Sequence, residues 1–313
     1  MKWEHISTNV FWTIVCIFGL LVISTLAVRI LQRVKPEADF SELVQRIRTW
    51  WIMLIVFTAV IMFSRNATLI FFAFISFMSL KEYLSLIPTR RADRRVLFWA
   101  YISIPIQYYW IGINWYGMFI VFIPVFIFLL LPMRMILIGE TSGFLRAVGT
   151  IHWGLMMTVF NISHLAYLLV LPPQGNPNGG GASLVLYLVF LTEFNDVTQY
   201  IWGKLFGSHP VVPRVSPKKT YEGLILGVLT TLILSVLLAS RLTPFNLLES
   251  VMAGLIIGLG GFIGDVTISA LKRDLGIKDS GSLLPGHGGI LDRVDSMIYT
   301  APLFFHYLYY LHY

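Results

Sequence analysis

Ten apolar runs divide the chain, at roughly residues 9–28, 49–64, 67–80, 96–111, 116–132, 147–171, 183–202, 223–240, 247–271 and 296–312. Most approach the about 20 residues that a helix needs to cross a bilayer. In lipid every backbone N–H and C=O must find a partner within its own segment, so such runs become helices. Few residues are left to face water: 12% of the chain is charged, against about 25% in a soluble domain. These features predict an all-α, polytopic integral membrane protein with about ten transmembrane helices and cytoplasmic loops. The two short runs at 49–64 and 67–80 also fit one bent hairpin.

The net charge of +7 could serve a nucleic acid, but its placement argues otherwise. Segments 29–48, 81–95, 133–146, 203–221 and 272–294 carry 20 of the 23 Lys and Arg, leaving Lys2, Arg65 and Arg241 for the other side. Such a bias puts the five basic segments in the cytoplasm and both termini outside. For a bacterial chain that membrane is the inner one. No nucleic-acid partner is expected, while anionic membrane lipids and nucleotides suit the basic surface.

Three parts are distinguished. Residues 1–48 hold an extra first span, which lacks a small-x-small cleavage site and reads as uncleaved. They also hold a stretch with Phe40, Leu43, Val44 and Ile47 at helical spacing. That stretch predicts a short helix on the cytoplasmic face or a plain connector. Residues 49–172 are apolar spans. Residues 183–313 bring polar groups into spans and loops, after an uncharged segment, 172–181, that reads as a flexible linker. Cys16 matches no disulfide or metal spacing and is expected to be a small buried hydrophobe.

A charge at mid-helix costs about 2.5–3.5 kcal/mol on a translocon scale, so each requires a reason. The seventh run contains Glu193, Asn195, Asp196 and Gln199. Asp265, Ser269 and Lys272 fall on one helical face with Arg273 beside it. Interhelical hydrogen bonding is the plain alternative for both groups. The stripe leads into Ser280-Gly-Ser-Leu-Leu-Pro-Gly-His-Gly-Gly-Ile-Leu-Asp-Arg-Val-Asp-Ser296. There Gly286, Gly288 and Gly289 predict a backbone nest for an anion. A helix cap is the plain alternative for Asp292; with Asp265 it offers two hard oxygen ligands, a number that suits Mg²⁺ bound jointly with substrate phosphates. Ser216-Pro-Lys-Lys-Thr-Tyr-Glu-Gly223 adds two cations to the same surface. It could simply bind lipid head groups.

The run Ser269-Ala-Leu-Lys272-Arg273, Lys278-Asp279-Ser-Gly281, Leu284-Pro285-Gly-His287-Gly-Gly289-Ile-Leu-Asp292-Arg293-Val-Asp295 resembles the signature of the phosphatidate cytidylyltransferase family. Ser216-Pro-Lys-Lys-Thr-x-Glu-Gly223 resembles that family's second motif, and Asn195-Asp196 with Tyr200, Gly203, Phe206 and Gly207 its third. Thr198, Gln199 and Lys204 depart from the family's usual residues. The resemblance covers roughly 190–296. It implies transfer of CMP from CTP to phosphatidic acid, giving CDP-diacylglycerol and pyrophosphate. By that likeness Asp265 and Asp292 hold Mg²⁺, with or without a second cation. Lys218, Lys219, Lys272, Arg273 and Arg293 neutralise phosphates, and His287 donates a hydrogen bond to phosphate. Asn195, Asp196, Ser216, Thr220, Glu222, Ser269, Lys278, Asp279, Gly288, Gly289 and Asp295 bind substrate or orient those cations. Another lipid phosphate as acceptor, or a lipid transporter, are the competing readings. A transporter would more naturally show internal repeats, and none is evident. The small residues of the eighth and ninth runs would allow a homodimer.

Overall fold

The computed structural model describes residues 7–37, 39–90, 93–283 and 288–313, without the side chain of Glu42. The helices are α1 (Thr8–Val34), α2 (Ser41–Phe63), α3 (Arg65–Leu86), α4 (Arg94–Gly112), α5 (Tyr116–Val121) and α6 (Phe128–Ile136). They continue as α7 (Phe144–Leu155), α8 (Ile162–Leu168), α9 (Gly180–Phe206), α10 (Tyr221–Leu242), α11 (Leu247–Asp274), α12 (Leu291–Val294) and α13 (Met297–His312). A short antiparallel hairpin, β1 (Pro210–Val212) and β2 (Ser216–Thr220), lies between α9 and α10.

Helix starts follow local chemistry. The hydroxyls of Ser7, Ser64 and Thr220 accept from Val10, Ala67 and Gly223 N–H groups, capping α1, α3 and α10. Asn246 and Glu249 cap each other's backbone at the start of α11. Residues Phe122–Ile127 and Met156–Asn161 widen into π turns that join α5 to α6 and α7 to α8. The first contains Pro124, whose missing N–H favours such a break in the ladder.

Among the described residues, six helices are long and apolar enough to cross a membrane: α1, residues 43–63 of α2, α3, the α5–α6 run, α10 and α11. The expected ten is not reached on that measure. The other four runs are helical but polar, interrupted or short: α4, the α7–α8 run, α9 with its Glu193, Asn195 and Asp196, and α13.

Three expectations are corrected. The stretch 41–48 is no separate surface helix; it is the first part of α2, because nothing between Arg48 and Thr49 stops a helix. The 172–181 segment is pinned, not a loose linker. Asn176 is buried and its Nδ2 donates to Gly180 O, Ser183 Oγ and Leu242 O, and Asn178 Nδ2 donates to Thr243 O at 2.7 Å. Cys16 is exposed on the outer side of α1.

Close helix crossings set the frame of the polar end. A Cβ on Gly227 would collide with Gln199, and one on Gly264 with the Asp295 carbonyl oxygen. So α10 lies tight on α9, and α11 tight on the α12–α13 junction. On the opposite side α3 packs against α4, α7 and α8, and its last turns reach α12. The interior between these layers is aromatic, with Tyr116 stacked on Tyr309 at 4.4 Å and Phe119 tilted against Tyr167 at 4.5 Å. α1 stands beside α9 and α10, and α2 packs against α1 and α3.

Candidate active site

The late residues of α9, the hairpin, the last turns of α11, α12 and the end of α3 meet at one end of the bundle. Lys219 on β2 points inward and pairs with Asp265 of α11, whose other oxygen accepts from Ser269 Oγ at 3.2 Å. The Lys219 ammonium also lies 5.1 Å from the Phe262 ring centroid. Burial opposes its charge, yet Asp265, Asp196 and Asp295 outweigh that and hold its pKa above the ordinary lysine value.

Asp196, Asp265 and Asp295 act on one another as neighbouring like charges. Ser296 Oγ donates to Asp196 Oδ2 at 2.7 Å, while Asp196 Oδ1 is buried with no hydrogen-bond partner among the described residues. Burial, then Asp265 and Asp196, push Asp295 well above the usual carboxylate range. Arg293 faces this group electrostatically, and its buried Nε likewise has no partner.

Asp292 is organised differently. Lys272 Nζ donates to its Oδ1 at 2.7 Å; Ser280 N, Ser280 Oγ and Gly289 N donate to Oδ2 at 2.8, 2.9 and 3.0 Å. Burial alone would raise its pKa, but these donors lower it below the ordinary 3.8. The neighbouring turn is held by a residue that sequence reasoning missed. Glu82, near the end of α3, accepts from Ile290 N at 2.9 Å, Leu291 N at 2.8 Å and Ser280 Oγ at 3.2 Å.

The glycines thus have a concrete use. A Cβ on Gly288 would collide with Asp292 Oδ2, and one on Gly289 with Glu82 Oε2 and Ser280 Oγ; Gly288 also has φ +77°. The described part of the expected anion nest therefore closes on the protein's own carboxylates, Asp292 and Glu82. Gly286 and His287 lie outside the described residues.

Other expected residues sit farther from this centre. Asn195 is fully buried; its amide accepts from Thr231 Oγ1 at 3.1 Å and donates to Gly258 O at 3.2 Å, which ties α9 to α10 and α11. Glu222 accepts from Ser208 N and His209 N and pairs with His209 Nδ1 at 2.6 Å, so it braces the hairpin's approach. Thr220 is the α10 cap, and Ser216 pairs with Val212 in the hairpin. Arg273 donates to Val215 O and Ile277 O, tying the hairpin to the end of α11. Lys218, Lys278 and Asp279 are exposed.

Among the described residues no three His, Cys, Asp or Glu side chains are grouped so as to hold a metal unaided. Asp196, Asp265 and Asp295 nevertheless offer hard oxygen donors, and the partnerless Asp196 Oδ1 suits a cation shared with phosphates.

The family model for the cytidylyltransferase family matches residues 44–311. The chain belongs to this family. It is 51% identical over 294 residues to the uncharacterized protein YnbB of Escherichia coli (strain K12), covering 94% of this chain and 96% of the relative. It is 44% identical over 138 residues to a phosphatidate cytidylyltransferase of Synechocystis, which covers 44% of this chain and 46% of the relative. It is 49% identical over 109 residues to phosphatidate cytidylyltransferase 4, chloroplastic, of Arabidopsis thaliana, covering 34% and 28%. The chain thus spans less than half the length of these two phosphatidate cytidylyltransferases. Membership makes the polar end of the bundle, which carries all three motifs, the place to look for nucleotidyl transfer.

Proposed function

We propose that this chain is a membrane nucleotidyltransferase that moves CMP from CTP to phosphatidic acid, releasing pyrophosphate and leaving CDP-diacylglycerol. The observation that carries the reading is the gathering of Asp196, Asp265 and Asp295 around Lys219, at the end of the bundle that the basic hairpin covers. Its relatives named phosphatidate cytidylyltransferase support the choice of lipid.

The chemistry asks little of a general base. A lipid phosphate oxygen, ionised near pH 7, attacks the α-phosphorus of CTP. The new P–O bond forms as the bond to the pyrophosphate oxygen breaks. The difficulty is bringing two polyanions together, so positioning and charge neutralisation carry the catalysis. Lys218 on the open side of the hairpin meets incoming phosphate, while Lys219 and Arg293 face the reacting centre from within. Lys272 and Glu82 keep the Asp292 turn in place. Asp265 and Asp196 would hold Mg²⁺ jointly with the phosphates of CTP. A bound Mg²⁺ would supply charge neutralisation for the phosphates of CTP. Asp292 suits that role less than its place in the motif suggests, because both its oxygens already accept hydrogen bonds.

The charge bias along the chain supports a cytoplasmic site and external termini. With Cys16→Ser as background, a cysteine at exposed Gln174 should react with an impermeant reagent in intact cells, and one at exposed Ser208 should not. External labelling at Ser208 would reverse the orientation.

Pyrophosphate release from CTP by the purified protein tests the reaction, with phosphatidic acid present and then omitted. Lipid-dependent release is expected. Release with a different lipid phosphate alone would move the acceptor, and none from a folded preparation would end the catalytic reading.

A further inference from the structure

The helix pair α1–α2 carries a feature that the transfer reaction does not use. On α1, Thr25, Val28, Arg29 and Gln32 follow the i, i+3, i+4, i+7 spacing of one helical face. On α2, Val44, Ile47, Arg48 and Trp51 do the same. The two stripes face each other, and they line a half-open cavity of about 350 Å³.

The position of this cavity is informative. It lies toward the last turns of α1 and the first turns of α2, the end of the pair from which residues 29–48 emerge with their basic cluster. Trp51 Nε1 donates to Thr25 Oγ1 at 3.1 Å, joining the helices at the inner end of the seam. Val28, Val44 and Ile47 make the walls apolar. The whole of α1 precedes the residues matched by the family model, 44–311.

Charge decides what fits. Arg29 and Arg48 line the same cavity from facing helices, and neither has an ion pair or hydrogen bond among the described residues. Like charges across a seam repel unless an anion lies between them. Guanidinium groups match phosphate oxygens in geometry as well as charge. A basic recess between membrane helices, apolar inward and charged toward the interface, has the layout of a lipid head-group site. The volume falls within the about 300–1,000 Å³ of ordinary ligand pockets.

We propose that the α1–α2 seam binds the phosphate head group of an anionic phospholipid, with Arg29 and Arg48 on the phosphate and the apolar walls against its glycerol and upper acyl carbons. This site goes beyond the transfer reaction and is separate from it. Arg46 marks the boundary: it turns the other way, toward the Tyr200 ring of α9, 5.9 Å from the centroid.

The test uses the full chain in a neutral detergent without CTP. Its melting temperature is titrated with phosphatidylglycerol, with phosphatidylcholine, and with inorganic phosphate. Phosphatidylglycerol is a phosphodiester with no terminal phosphate to accept CMP, so it probes the seam apart from the transfer site. A saturable rise with phosphatidylglycerol alone is expected. Arg29→Gln and Arg48→Gln should each raise the half-saturating concentration about fivefold, the worth of one interfacial cation. The paired control Arg33→Gln with Lys35→Gln removes two charges outside the seam and should leave it unchanged. An equal rise with phosphatidylcholine or with inorganic phosphate overturns the proposal. So does an unchanged half-saturation in both arginine variants, or an equal loss in the control. The two single variants are read independently, so misfolding of one leaves the other as the test.

Discussion

Glu82 and Leu291 stand 209 positions apart in the chain, yet the Glu82 carboxylate accepts the Leu291 N–H at 2.8 Å. With Ile290 N and Ser280 Oγ on the same carboxylate, one side chain of α3 holds the first N–H groups of α12. Those donors have no partner within the helix, and an anion there also meets the positive end of the helix.

Glu82→Gln keeps the shape but removes the charge and one acceptor oxygen. A hydrogen bond to a charged group is worth about 1.5–3 kcal/mol, which corresponds to about ten- to over a hundredfold in turnover if the loss is felt fully in the transition state. Turnover should fall in that range while amide exchange at Ile290 and Leu291 quickens. Normal turnover with quickened exchange would make Glu82 a stabilising residue only.

The two signature aspartates should separate in a Mg²⁺ titration. Asp265→Asn should raise the Mg²⁺ concentration needed for half-maximal rate, since a hard charged ligand is lost. Asp292→Asn should lower the maximal rate with a smaller change in Mg²⁺ dependence, since a neutral amide with one acceptor oxygen replaces the two oxygens that serve Lys272, Ser280 and Gly289. Equal shifts in Mg²⁺ dependence would return Asp292 to the metal.

Acid should loosen the same turn. The Asp292 pKa is depressed in the folded protein, so its ionised form contributes stability above the unfolded value near 3.8. That contribution is lost as pH falls through the lower folded value. Melting temperatures from pH 6 down to pH 3 should therefore fall less steeply for Asp292→Asn than for the unaltered chain, from a lower start. Parallel curves would show that other groups dominate the acid response.

Gly264→Ala tests the helix crossing beneath the carboxylates. Its Cβ would enter the space of the Asp295 carbonyl, forcing α11 away from the α12–α13 junction. Overpacking of this kind costs about 1–3 kcal/mol, and it should lower both the melting temperature and turnover. Gly149, where a Cβ meets nothing within 4 Å, is the matched control for Gly→Ala on a helix.

Much of this was legible beforehand. Hydropathy and charge bias indicate helices in a membrane, and motif spacing brings Lys219, Asp265, Lys272, Asp292 and Asp295 to one end. Local pattern carries those because each lies on or next to a helix whose period fixes its face. Glu82 was not legible for the opposite reason. It is a lone carboxylate in the run ending at Leu86, it reads as part of a basic connection, and its partners lie in another helix pair. The glycine-rich turn suggested a cradle for a foreign anion; sequence shows that N–H groups can converge but not which carboxylate they meet. The 172–181 segment looks loose by composition, and only the carbonyls of Leu242 and Thr243 reveal why Asn176 and Asn178 are there.

The reach of Glu82 also bears on how such chains are compared. A protein cut down to residues 183–313 would retain every signature residue and pass any inspection by motif. It would nevertheless lack the carboxylate that holds the turn before Asp292, and with it the packing of Tyr83 against Gly154 that fixes the rotation of α3. Completeness of the motifs is therefore a poor guide to competence in shortened or rearranged homologues. An acidic residue at the end of the third helix would be the more informative thing to look for.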